Sequence, residues 1–143
     1  MADKIFLDTD VALDHLADRQ PFAEYAHWLL ALAETGQLTV CVSSLSFSNL
    51  SYLLRKLKGH GARLALLGKL KQLVHVSAVG EAEIESVLAS SFKDFEDAIQ
   101  HFAAKAKGGV NAIVTRNKAD FSASELPVLS PEEFLAAREP AGE

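Results

Sequence analysis

A single cysteine, Cys41, stands in this chain of 143 residues. It excludes an internal disulfide, and the expectation is a reduced, cytoplasmic setting in which Cys41 acts as a small hydrophobe. No apolar run nears the ~18 residues that a spanning helix needs, so no membrane association is expected. Met1-Ala2-Asp3-Lys4 has no basic stretch backed by an apolar one, and no secretory signal is expected. A P-loop and a G-x-G-x-x-G turn are both missing, which removes two common nucleotide-binding modes. The five histidines show no metal-ligand spacing. Repeats, low-complexity tracts and linkers are absent too. The expectation is one domain over residues 1–143, with its core at about 4–136.

Acids are also missing from one long window. Residues 1–34 hold seven acids and two bases, whereas Thr35 to Gly80 holds no acid at all. That window carries Arg55, Lys56, Lys58, Arg63, Lys69 and Lys71, with His60 and His75. The net charge of −5 argues against a general nucleic-acid binder. A basic middle between acidic ends nevertheless suits a phosphate-binding rim beside an acidic pocket. The alternative is a solvated helix face whose charges pair within the fold.

What is present is an alternation of short apolar strands and helical patterns. Residues 4–7, 38–42, 73–76 and 112–114 read as buried strands, and Leu126-Pro127-Val128-Leu129 as an edge strand that tolerates proline. Pro21 suits the first position of a helix carrying Phe22, Tyr25, Ala26, Leu29 and Ala33, with Gly36 as its stop. Phe47, Leu50, Leu54 and Leu57 predict a helix running to about Lys58, and Leu64, Leu67 and Leu70 a short one. Ile84, Val87 and Leu88 share one side of an acidic helix after Gly80. A helix over about 94–107 ends at Gly108-Gly109, and Pro131 opens the last helix, with a frayed tail after Ala137. Strand–helix alternation implies parallel pairing, hence a three-layer α/β/α domain around a parallel sheet of four to five strands.

Three acidic patches sit beside these strands. Asp8 and Asp10 follow the first, Asp94 and Asp97 share a helix face, and Thr115, Arg116, Asn117 and Asp120 follow the fourth. Ligands of open parallel sheets bind beyond the carboxyl ends of the strands, so neighbouring first and fourth strands would bring these groups together. Hard oxygen donors without a matching His or Cys set favour Mg²⁺ or Mn²⁺. Such an ion activates water and neutralises a phosphoryl oxygen, with Arg116 or the 55–71 bases on phosphate. Each piece has a structural alternative. Asp8 and Asp10 suit an N-cap and first-turn acid, Asp94 an N-cap, Asp97 a first-turn charge and Asp120 a turn. Trp28 reads as a core or helix-face contact rather than a base platform.

These residues resemble the PIN-domain family. Ile5-Phe6-Leu7-Asp8-Thr9-Asp10-Val11 is similar to its first-strand motif, and Val42-Ser43-Ser44-Leu45-Ser46-Phe47-Ser48-Asn49-Leu50 to its second-strand and helix motif. Asp94-Phe95-Glu96-Asp97-Ala98 and Val114-Thr115-Arg116-Asn117-Lys118-Ala119-Asp120-Phe121 are similar to the two C-terminal motifs, and residues 126–135 fit the close of the domain. The resemblance implies a PIN-like fold and a Mg²⁺- or Mn²⁺-dependent ribonuclease, as in VapC-like toxins of toxin–antitoxin pairs. Asp8 and Asp97 would be metal ligands. Asn49 and Asn117 stand where the family usually has a glutamate and an aspartate, and Asp10 where it often has Asn. Asp94 and Asp10 are then the candidate substitutes for the missing charge. The implied catalytic set is Asp8, Asp94, Asp97, Asn49 and Asn117. Thr115, Arg116, Ser44, Arg55 and Lys56 would meet RNA, and the implied partners are an antitoxin protein and a second copy in a homodimer. The competing readings are a PIN-like module that binds nucleic acid or protein without cutting, and a phosphatase, which the lack of a phosphate-cradling Gly-rich loop disfavours.

Overall fold

In a computed structural model that describes residues 3–138, five short strands lie side by side in the order β3-β2-β1-β4-β5, every pair parallel. The strands are β1 (Asp3–Leu7), β2 (Leu38–Ser43), β3 (His75–Ser77), β4 (Ala112–Val114) and β5 (Val128–Leu129). The helices are α1 (Thr9–Ala17), α2 (Ala23–Glu34), α3 (Ser44–Leu54), α4 (His60–Leu73), α5 (Glu81–Leu88), α6 (Phe95–Lys107) and α7 (Pro131–Ala137), with a 3₁₀ turn at Lys118–Phe121.

The period of two in each strand sorts side chains between two cores. Ile5, Leu7, Val40 and Val42 face a layer built from α1, α2, α3, α4 and α7, with Leu29, Leu50, Leu70 and Phe134 against them. Phe6, Cys41 and Ile113 face the opposite layer, where Ala103 and Ala104 of α6 and Phe121 pack. Val87 of α5 joins Ala98 and Ile99 of α6 beside that layer. Strands apolar on both faces need helices on both, which is the expected three-layer α/β/α arrangement. Cys41 is buried among these side chains, as a small hydrophobe should be.

Parallel order places the switch point between β1 and β4, where chain order reverses. Leu7 pairs with Val114 in register. The Asp8 N–H donates to the Val114 carbonyl at 3.0 Å, so the two loops that follow leave the sheet side by side. Gly108 and Gly109, both at positive φ (78° and 72°), turn the chain from α6 back into β4.

Several boundaries differ from expectation. Pro21 lies in the turn before α2 rather than at its first helical position, and the helix starts at Ala23. The third strand falls at 75–77, because Leu73 completes α4 instead. The region with Leu64, Leu67 and Leu70 forms a 14-residue helix, not a short one. The helix with Leu54 stops there, and a turn carries the chain through Lys58. Leu88 is 72% exposed. It is the last residue of α5, where the helix leaves the face held by Ile84 and Val87. Trp28 is half exposed on α2 rather than in the core. The tail expected to fray lies outside the described residues from 139 onward.

Leu50 and Leu88 separate packing from propensity. Leu50→Ala empties a fully buried site and is expected to cost about 3 kcal/mol. Leu88→Ala should stay within about 0.5 kcal/mol. Urea unfolding of both variants measures the difference.

Candidate metal and RNA cleft

A cleft of about 730 Å³ opens at the carboxyl ends of β1 and β4, at the switch point. Asp8, Asp10, Asn49, Glu96, Asp97, Gln100, Arg116 and Asn117 all line it. Acids from two segments far apart in sequence, Asp8 and Asp10 after β1 and Glu96 and Asp97 on α6, therefore meet, joined by Arg116 and Asn117 from the loop after β4, whose Asp120 lies outside the cleft.

Asp8 ends β1 and caps α1: its Oδ1 accepts the Thr9 N–H at 2.8 Å, and its Oδ2 accepts the Thr115 hydroxyl at 2.7 Å. The N-cap reading and the cleft reading of Asp8 both hold at once. Thr115 is fully buried, and its Oγ1 also accepts the Asn117 N–H at 3.0 Å. It therefore sets the Asp8 carboxylate and the loop after β4 instead of offering a free hydroxyl to phosphate. Asp10 lies in the first turn of α1, where its Oδ2 accepts the Arg116 N–H at 3.2 Å and the Asn117 amide N–H at 3.1 Å. Its Oδ1 is buried and has no partner among the described residues.

On the opposite wall α6 brings Glu96, Asp97 and Gln100. Asp94 caps this helix, its Oδ1 accepting the Asp97 N–H at 2.9 Å. Asp94 does not line the cleft; with Asp120 it lines a smaller depression beside it. Asn49 of α3 donates its amide to Glu96 Oε1 at 3.3 Å. Gln100 is buried; its Nε2 donates to the Thr9 and Ser46 hydroxyls, each at 3.0 Å, while its Oε1 has no partner. This small network ties α1, α3 and α6 together under the cleft floor.

Two guanidiniums line the cleft, and neither forms an ion pair with these four carboxylates. Arg19 and Arg116 both turn onto Asp14, which is 1% exposed. Arg116 takes it with two nitrogens, Nε at 2.7 Å and Nη2 at 3.2 Å, and lies 3.8 Å over the Phe22 ring. A fork on a carboxylate and a stacked face hold this side chain firmly. Ser44 is exposed, but its hydroxyl accepts the Val79 N–H and is not in the cleft. Arg55 and Lys56 lie just past α3. The Arg55 guanidinium stacks 3.7 Å over Tyr52, a lining residue, so Arg55 stands at the rim, whereas Lys56 is exposed and does not line the cleft.

Crowding of like charges in a partly dry cleft shows in the titration of two groups. Burial, then the charge of Asp10, pushes the Asp8 carboxyl up to about 7. Burial, then the charge of Asp8, does the same for Asp97, also to about 7. Asp10 is raised as well, chiefly by burial. Among the described residues no three Asp, Glu, His or Cys groups stand close enough to chelate an ion unaided. The donor set still fits a hard divalent cation. Mg²⁺ ordinarily keeps several waters and takes only one or two carboxylates, and Asp10 Oδ1 is a buried oxygen without a hydrogen-bond partner among the described residues.

Glu96, Gln100 and Arg19 also line the cleft, and Asp14 holds its arginines, though none of the four is among the residues expected from sequence. Glu96 was legible as the second acid of Asp94-Phe95-Glu96-Asp97. Asp14 was legible as Asp10 plus four on one helix face. Nothing in sequence spacing signals Arg19 or Gln100.

A sequence model described as a PIN domain matches residues 4–119. Among solved structures the fold is similar to VapBC2 from Rickettsia felis bound to a DNA fragment from its promoter, at 18% identity and TM-score 0.65, covering 89% of this chain and 97% of that one. It is similar to Mycobacterium tuberculosis VapC20, a sarcin–ricin loop cleaving toxin, at 23% identity and TM-score 0.58, covering 76% and 86%. FitAcB from Neisseria gonorrhoeae gives 20% identity and TM-score 0.61, covering 90% and 98%. At these identities the likeness is one of fold. No curated protein matches this chain.

The raised carboxyls give a signed pH effect. A carboxyl whose folded value lies near 7, against an ordinary 3.8, favours the folded state fully below pH 3.8. That contribution is lost as pH rises through 7. Removing the ionisable group removes the loss. In metal-free protein, Asp97→Asn should therefore gain melting temperature over wild type progressively between about pH 5 and pH 8. Paired thermal melts test this, and a constant difference across that window contradicts it.

Proposed function

This chain belongs to the PIN-domain family, and from that premise we propose that it is a Mg²⁺- or Mn²⁺-dependent endoribonuclease, the toxin of a toxin–antitoxin pair. The observation that carries the reading is one cleft holding Asp8, Asp10, Glu96 and Asp97 while both of its arginines are spent on Asp14. Asp8 and Asp97 would hold the ion, with Asp10 beside them and water completing the coordination. When bound, such an ion lowers the pKa of water and neutralises charge on a phosphoryl oxygen.

The chain's own residues do the rest. Thr115 and the Thr9 N–H fix the direction of the Asp8 carboxylate. Asp94 serves by capping α6, which sets where Asp97 stands. Asn117 and the Arg116 backbone hold Asp10 against the β4 loop. Arg55 and Lys56 bring positive charge to the rim for the phosphates of an incoming strand, and Tyr52 offers an exposed ring for a base. RNA as the substrate class is supported by the fold shared with a sarcin–ricin loop cleaving toxin. The likeness to VapBC2 and FitAcB supports an antitoxin as the protein partner. The assembly we propose is a cytoplasmic homodimer. No helix among the described residues is long and apolar enough to cross a membrane.

A second reading has one observation in its favour. Two of the polar groups facing the cleft, Asn49 and Asn117, are neutral amides. A PIN-like module that binds RNA without cutting it would keep the groove and the basic rim alone.

Incubation of structured RNAs with Mg²⁺ or Mn²⁺ separates the two. Cleavage by the wild type, stopped by chelation and reduced roughly a hundredfold or more in Asp8→Asn and Asp97→Asn, is the expected result. Equal inertness of all three proteins with both metals sinks the enzyme. Arg55→Ala with Lys56→Ala should weaken RNA binding across sequences and flatten its salt dependence by roughly one unit of slope per charge. Salt titration of RNA affinity reads it.

A further inference from the structure

Three acids elsewhere in the described chain are held by Lys or Arg. Asp14 meets Arg19 and Arg116, Glu125 meets Lys105, and Glu133 meets Lys118. The four acids of the cleft have no ion pair among the described residues, and the donors to the carboxylate oxygens of Asp8, Asp10 and Glu96 are all neutral. Two of these donors are the asparagines, one on each wall. Asn117 Nδ2 reaches Asp10 at 3.1 Å, and Asn49 Nδ2 reaches Glu96 at 3.3 Å. An amide N–H orients a carboxylate without cancelling its charge. Two residues that line this space each keep a buried oxygen with no partner among the described residues, Oδ1 of Asp10 and Oε1 of the deeply buried Gln100. Orphaned buried acceptors are rare in folded proteins and call for a ligand that donates or carries positive charge.

We infer that Asp10–Asn117 and Glu96–Asn49 are two matched acid–amide pairs that complete a four-carboxylate site for a divalent cation, with Glu96 a working acid of that site. The inference rests on the metal-dependent reading above and adds to it the roles of Glu96 and of the two amides. Since no three acids among the described residues stand close enough to chelate unaided, Asp10 and Glu96 would support the ion through its water, which they would orient and whose charge they would balance. The asparagines are positioning residues: each holds its acid from a separate element, α3 for Glu96 and the loop after β4 for Asp10.

The roles predict a reversal that a merely structural hydrogen bond would not show. Mn²⁺ binding to the full chain is measured by calorimetry and by water-proton relaxation, without RNA. Outer-sphere groups typically contribute 10- to 100-fold in metal affinity, so Glu96→Gln and Asp10→Asn are each expected to weaken Mn²⁺ by about that factor. Exchanging the members of a pair, Glu96→Gln with Asn49→Asp or Asp10→Asn with Asn117→Asp, keeps the charge and the hydrogen bond. Each exchange should recover most of the lost affinity. Glu96 is exposed, so its variants keep the fold, and circular dichroism checks the Asp10 variants. Wild-type affinity in Glu96→Gln overturns the inference, as does a wild type that binds no Mn²⁺, or pair exchanges no better than the single changes. If Mn²⁺ binding follows this pattern and RNA stays intact, the nuclease reading fails while the site stands.

Discussion

Repulsion among carboxylates is what the cleft end of this fold is built to withstand. Asp8, Asp10, Glu96 and Asp97 converge where β1 and β4 end, and burial keeps water from screening two of them. Uncompensated charges in such a place cost several kcal/mol each unless something holds them. The structure answers with neutral donors: the Thr115 hydroxyl, the Thr9 and Arg116 amides of the backbone, and the side-chain amides of Asn49 and Asn117. Donors of this kind steady a carboxylate and leave its charge available.

Arginine is kept off these acids by a fifth one. Asp14 is almost fully buried and engages Arg19 and Arg116 together. That cluster lies under the cleft, joins α1 to the β4 loop, and carries Phe22 on the face of Arg116. The same residues that stabilise the switch point thus preserve the negative potential above it. Gln100, Thr9 and Ser46 extend this bracing to α3 and α6. Asp94, expected among the working acids, is instead the cap that starts α6 and so fixes Asp97.

Much of the fold was legible in sequence because its signals are local. The strands at 3–7, 38–43 and 112–114 are apolar on both faces, which only a covered parallel sheet accommodates, and the helices carry their own spacing and caps. Where expectation slipped, at Pro21, at the third strand and at Leu88, neighbouring packing chose between local options of similar cost. The site was legible in part for the same reason. Asp8, Asp10, Asp97, Asn49 and Asn117 stand beside strand or helix ends whose identity the sequence announces, and all five line the cleft. Ser44 stands beside such an end too, yet its hydroxyl is taken up by Val79. Arg55 stays at the rim, over Tyr52, and Lys56 does not line the cleft.

What the sequence by itself determined is the parallel α/β architecture and the inventory of acids at its strand and helix ends, since periodicity and capping depend on residues a few positions apart. What only the tertiary structure decided is which charges remain free. Asp10 with Asn117, Glu96 with Asn49, and Asp14 with its two arginines are pairings that reach across as many as 107 positions. Whether an acid is neutralised, merely oriented or left open depends on which donors the packed elements bring within about 3 Å of it, a distance no spacing along the chain encodes.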